Sequence, residues 1–173
     1  MEKPMQLLQF NTWANDKVFQ HLKSLPADLY RKEVKSVFPS VSAVLVHMYQ
    51  VDYVWLEAIK GEKFEDIIAS VGPLYAGLQA ASLEDMELKF NELDVEYNAF
   101  VNKKKDLSQQ TIVHHPHFGT LETSYKDLIQ HIVNHGTYHR GHISAILNQQ
   151  GHKGASTDYI FYLYTLQQQK QTK

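Results

Sequence analysis

Apolar residues recur in alternating steps of three and four along three separate stretches of the chain, and no other feature limits the fold so strongly. Leu83, Met86, Phe90, Leu93, Tyr97 and Phe100 form the cleanest series. Val44, His47, Val51, Val54 and Ala58 form a second, and Tyr125, Leu128, Ile132, His135, His139, His142 and Ile146 a third. Each residue turns about 100° on an α-helix, so each series makes one narrow stripe. Stripes of this period pack against one another at small crossing angles, as in a left-handed bundle. In two of the three stripes histidine stands where leucine or isoleucine would complete the seam. A buried imidazole needs a partner for its nitrogens, so these are the positions to explain.

Taken in order, a first helix is expected over residues 5–24, with Leu7, Ala14, Val18, Leu22 and Leu25 on one face. Asn11 and Asn15 fall on or beside that face, either as an exposed rim or as hydrogen-bond partners of something buried near a site. Trp13 points away from the stripe, toward a second contact with a loop or another subunit. Pro26 opens a connection that ends at Pro39. Ser40 or Ser42 caps a second helix that runs to Lys60, with Gly61 just past its end. Trp55 flanks its His47 face. Residues 61–81, with Gly72-Pro73 and Gly77, read as a loop containing helical turns. Ser82-Leu83-Glu84-Asp85 is the capped, acidic start of a third helix that reaches Lys105. Residues 106–121 break the helical period. The stretch reads as a loop with one or two short extended pieces, or short strands; Pro116 favours extended chain there, and His114, His115 and His117 fall on a surface loop able to line the mouth of a pocket. Ser124 and Asp127 open a fourth helix that ends at Gln150 before Gly151. A short last helix over residues 157–168 returns Tyr159, Ile160, Leu163 and Tyr164 to the bundle, and the Gln-rich tail frays. The expected fold is all-α: a four-helix bundle with a short extra C-terminal helix and an irregular loop before the fourth helix, in one domain over residues 1–173.

His131, His135, His139 and His142 project from one side of the fourth helix, within about 80° of one another. His139 is central to the apolar face and His135 near its edge; His131 and His142 lie further out. Two histidines one turn apart can turn both rings to one metal ion, and a catalytic divalent metal takes three protein ligands and keeps a position open. His47, the one ionisable residue on its seam, is the obvious third. Gly136 lies beside the core face, where it permits close helix approach; Gly141 has no evident role. Asp52 and Glu57 lie about 140° and about 80° from His47 on the wheel, and Arg140 points away from the core. No general base is therefore expected in the site. Imidazole ligands suit zinc, nickel, iron or copper better than magnesium or calcium. Zinc or nickel is the first expectation, then iron or manganese.

Composition removes other chemistries. The chain contains no cysteine, which excludes disulfides, thiolate metal sites and a cysteine nucleophile. Its net charge is -2, and Lys103-Lys104-Lys105 is its one short basic run, so no nucleic-acid partner is expected. Met1-Glu2-Lys3-Pro4 leads straight into an amphipathic pattern and no apolar run is long enough to span a membrane. A cytoplasmic protein acting on a small molecule, away from membranes, is the expectation.

Four stretches resemble the DinB family, part of a wider superfamily that includes YfiT-like hydrolases and thiol-dependent transferases. They are Phe10-Asn11-Thr12-Trp13-Ala14-Asn15, the ten residues from His47 to Leu56, Asn134-His135-Gly136-Thr137-Tyr138-His139-Arg140-Gly141, and the seven from Thr157 to Leu163. The resemblance implies a bundle with a divalent metal on His47, His135 and His139, often in a homodimer. His142 stands where many relatives carry glutamine, as a fourth ligand, a support for a ligand or a bystander. His142, His131, Asn15 and Trp55 are expected around the metal or its pocket. Three functions remain open: a metal-dependent hydrolase or a transferase using a low-molecular-weight thiol, a non-catalytic metal-binding or stress-response bundle, and a bundle with no metal.

Overall fold

The seams become helices, and their ends are fixed by the residues that satisfy orphan backbone groups. The computed structural model describes residues 3–115 and 117–171; Met1, Glu2, Pro116 and the last two residues, on which parts of the sequence reading fall, lie outside it. The elements run α1 (Lys3–Lys23), a 3₁₀ turn (Ala27–Tyr30), α2 (Val41–Lys60), α3 (Phe64–Ala80), α4 (Leu83–Lys103), β1 (Gln110–His115), β2 (Gly119–Ser124), α5 (Tyr125–Gln149) and α6 (Tyr159–Gln171). Ser40, not Ser42, caps α2, accepting the Ala43 N–H at 3.2 Å. Gly61 ends α2 at φ 95°, a left-handed conformation that a Cβ would strain. Ser82 and Asp85 form a reciprocal capping box on α4, and Ser124 caps α5.

Helices α1 and α2 each pack against both α4 and α5, which closes a four-helix ring. Leu8, Phe19, Leu45, Met48, Leu56, Met86, Tyr97, Ile129, Ile132 and Ile146 fill its centre, nearly free of solvent. Each such aliphatic side chain contributes roughly 1.5–3 kcal/mol through burial. The α4 seam is as read: Met86, Phe90, Leu93 and Tyr97 are buried, with Leu83 and Phe100 packed at its ends.

Four readings are corrected. Residues 64–80, read as a loop, form α3, with Pro73 inside the helix. Proline removes one intrahelical hydrogen bond, but Ile67, Val71, Leu74 and Leu78 still make a stripe, and Ile67 and Leu78 bury against the rest of the core. The Gly72-Pro73 punctuation outweighed that stripe in the sequence. Helix α6 continues through the Gln-rich tail to Gln171. It buries Tyr162, while Ile160 and Tyr164 remain 52% and 58% exposed. Apolar residues surround this helix on all sides, so periodicity alone could not choose its inner face. The second contact of Trp13 is within the chain: its ring centroid lies 5.7 Å from that of Tyr162. The stretch before α5 is a β-hairpin in register from Gln110–Ser124 to His115–Gly119, more regular than a loop with short extended pieces.

α1 and α5 are in close contact at Gly136. A Cβ there would stand 2.5 Å from Asn11 Oδ1 and 2.9 Å from Arg140 Nη1. Gly136→Ala is expected to lower stability by about 1–3 kcal/mol in urea unfolding, despite its better helix propensity. A gain in stability would mean that the two helices are not in close contact.

Candidate metal centre

α2 carries His47 and α5 carries His135 and His139 to one point on the seam between the two helices. His47 Nε2 lies 3.3 Å from His135 Nε2 and 3.2 Å from His139 Nε2. One ligand nitrogen from each of the three rings lies within 4.8 Å of the other two. Three nitrogens bound to zinc at about 2.0–2.1 Å and tetrahedral angles stand about 3.3 Å apart. Hydrogen bonding alone serves this triangle poorly. A neutral imidazole carries one N–H; if His47 Nε2 donates to one neighbour, it turns a hydrogen instead of a lone pair toward the other. A cation takes all three lone pairs together, so the donor set fits a divalent metal.

The outer nitrogens support the same assignment. With Nε2 given to a metal, each ring carries its proton on Nδ1 and needs an acceptor there. His139 Nδ1 lies 3.2 Å from His142 Nδ1. His135 Nδ1 faces Asp52 Oδ1 at 3.8 Å, and neither buried atom has a hydrogen-bond partner among the described residues. An unpaired imidazole edge opposite an unpaired carboxylate is the pairing that a metal on Nε2 calls for.

Electrostatics keep the rings uncharged. Burial, with the neighbouring His139, His47 and His131 adding to it, lowers the His135 pKa to about 3. Burial and the charges of His47 and His142 lower that of His139 to about 4. His47 is shifted down by burial and by His142. Asp52 moves the other way: burial, then Asp94, raises its pKa well above the usual carboxylate value, and Arg140 opposes them.

Asp52 and Arg140 correct the sequence reading. Arg140, read as pointing outward, is 2% exposed. Its Nη1 donates to Asn11 Oδ1 and Asn15 Oδ1, each at 2.8 Å, and its Nη2 donates to Thr137 Oγ1 at 3.0 Å. The apolar stripe marks one buried side of α5; a second side, with Val133, Gly136, Arg140 and Leu147, is buried as well, and its Arg140 meets α1. Asn11 and Asn15 are thus buried partners of Arg140 and not of the three histidines. Asp52 lies across the helix from His47, which on the wheel places it outside the site. An imidazole presents nitrogens on two sides, however, so the group behind His135 need not share the face of His47.

Two aromatic rings close the cluster. The Phe38 ring, in the connection before α2, has its centroid 5.2 Å from His47 and 5.4 Å from both His139 and His142; nothing in the sequence marked it. Tyr138 packs on His142 at 4.7 Å. Trp55 packs on His131 at 4.8 Å, and His131 is 6.2 Å from His135, outside the triangle.

Without metal, the buried neutral histidines make stability depend on pH. The unfolded rings protonate near 6.5, whereas the folded ones resist protonation down to about 4 for His139 and about 3 for His135. Their stabilisation is complete above 6.5 and is lost as the pH falls toward those lower values. Chelator-treated protein is expected to unfold at lower urea at about pH 5 than at about pH 8, each ring contributing up to about 1.4 kcal/mol per pH unit. Equal midpoints would show that the rings are not held neutral.

The comparisons with known proteins agree with this architecture. The sequence model of the DinB family matches residues 1–171. Protein DinB of Bacillus subtilis (strain 168) is 39% identical over 165 residues, which cover 95% of this chain and 96% of that protein. The crystal structure of a DinB-like protein from Bacillus cereus ATCC 10987 superposes with a TM-score of 0.61 at 16% identity, over 87% of this chain and 94% of that one, a likeness of fold. With its family match running nearly end to end, the chain belongs to the DinB family.

Proposed function

We propose that this protein is a metal-dependent enzyme acting on a small molecule, with a divalent transition metal, zinc or nickel first, held by His47, His135 and His139. The convergence of three Nε2 atoms, those of His135 and His139 lying 3.3 and 3.2 Å from that of His47, carries this reading. A metal there would supply Lewis acidity, favouring the anionic form of a water or thiol nucleophile. The chain's own residues do the rest. With a metal on Nε2, Asp52, 3.8 Å away, would accept the His135 Nδ1–H and fix that ring, and His142 Nδ1, at 3.2 Å, would do the same for His139. Phe38 and Tyr138 cover the cluster and limit water around it.

Transfer from a low-molecular-weight thiol is favoured over hydrolysis by the room around His47. One cavity of about 560 Å³ reaches it from the side of Phe38, Arg31 and Gln79. Another of about 410 Å³ reaches it from the side of Trp55. Both are of a size that accepts small ligands, and hydrolysis needs one organic substrate. In the transfer, the thiol gives its proton to solvent water, its sulfur bonds to an electrophilic carbon of the second substrate, and the bond from that carbon to the leaving group breaks, the leaving group departing with the electron pair.

Elemental analysis is expected to find close to one transition metal per chain after reconstitution, and His47→Ala, His135→Ala and His139→Ala each lose it. Asp52→Asn is expected to weaken metal affinity about 10–100-fold without abolishing it. A wild-type protein that takes up neither zinc nor nickel rules the reading out. With metal bound, free-thiol titration is expected to record enzyme-dependent consumption of a small thiol alongside an alkylating acceptor, abolished by chelation. Hydrolysis of ester or amide substrates in the absence of thiol would instead support the hydrolase.

A further inference from the structure

The two cavities share His47 and Gln50, but their walls differ in kind. The smaller lies between α2, α3 and β1. Val51, Val54, Trp55, Ile68, Val71 and Val113 make most of its surface apolar. Among the described residues no Asp, Glu, Lys or Arg lines it. An ion entering this space would lose its hydration and gain no counter-charge, whereas an uncharged apolar group would be stabilised. Ile68 is half exposed, apolar area that folding leaves uncovered.

His115 gives this cavity a polar landmark at the hairpin. Its Nδ1 accepts the backbone N–H groups of His117 at 3.2 Å and Phe118 at 3.3 Å. A backbone N–H can only donate, so Nδ1 must present a lone pair and the neutral ring carries its proton on Nε2. The hairpin turn thereby fixes the tautomer of a ring that lines the cavity. Its Nε2–H is a donor with no protein partner among the described residues.

We infer that this cavity receives the uncharged substrate of the transfer: an aryl or alkyl group whose reacting end lies at His47, with a hydrogen-bond acceptor at the other end for His115 Nε2–H. This rests on the metal-dependent reading above. The more polar cavity, with Arg31, Ser42 and Gln79 in its wall, is left for the other reactant.

Isothermal titration of zinc-loaded protein with imidazole, 4-phenylimidazole and 4-(4-nitrophenyl)imidazole tests the assignment without any turnover. The phenyl ring is expected to tighten binding at least about tenfold over imidazole, and the nitro group to add about threefold more. Val71→Phe and Ala58→Leu, which fill the cavity from two different helices, are expected to remove the phenyl gain while zinc content and imidazole affinity stay unchanged. His115→Phe is expected to remove the nitro gain alone. If 4-phenylimidazole binds no tighter than imidazole, or its gain survives both filling variants, the cavity assignment falls and the metal reading stands. A nitro gain that survives His115→Phe overturns the donor assignment. If elemental analysis before titration finds no zinc in the wild type, both fall together.

Discussion

The packing of α2 against α5 is the contact on which the rest depends. Apolar side chains drive it, yet at its middle the seam gives three positions to imidazoles instead of aliphatic groups. Each substitution of that kind exchanges burial energy for a ring whose nitrogens must be matched. The bundle tolerates this because the surrounding core is large and well filled: Ile132, Ile143, Ile146 and Met48 are nearly solvent-free on the same two helices. The histidines stand on rigid elements, which holds their nitrogens close to ligand geometry before any ion arrives.

Behind the imidazoles lies a second buried polar layer. Arg140 is held by two asparagines and a threonine, and its charge is the nearest compensation for Asp52. A buried arginine stripped of its partners would cost several kcal/mol, so Asn11 and Asn15 are as necessary to α5 as the apolar seam. Gly136 belongs to the same device. Its missing side chain leaves space for the Asn11 amide to reach Arg140. The layer links α1 to the orientation of His135 although α1 contributes no ligand.

Much of this was legible in the sequence. Regular spacing of three and four reported α2, α4 and α5 with their caps, and the interruption of two seams by histidine pointed to one shared site. What escaped shares a physical cause. A helical wheel reports where one helix has its apolar face; it is silent on a helix with two buried sides, such as α5 at Arg140, and on groups that approach from another element, such as Phe38. The relation of Asp52 to His135 passes through the width of an imidazole, a dimension absent from a wheel. α3 was lost for a simpler reason: Gly72-Pro73 is usually punctuation, and here the stripe from Ile67 to Leu78 carries the helix through it.

α3 has one more property. Ile68 and Val71 face one cavity, Tyr75 and Gln79 the other, so a single helix is a wall of both. It lies outside the four-helix ring on α2, burying Ile67 and Leu78, linked to α2 by Tyr53 and Ser70 at 3.2 Å and tied near its C-terminal end by Arg31, whose guanidinium donates to the carbonyls of Gln79 at 3.0 Å and Ala81 at 2.6 Å. A helix with two buried residues opens at lower free energy than the ring it packs on. A molecule that settles in either chamber restrains the same helix and bears the entropy of doing so once. If both chambers are occupied, each occupant contacts this one helix, and ordering of the helix by the first would lower the entropic cost of the second.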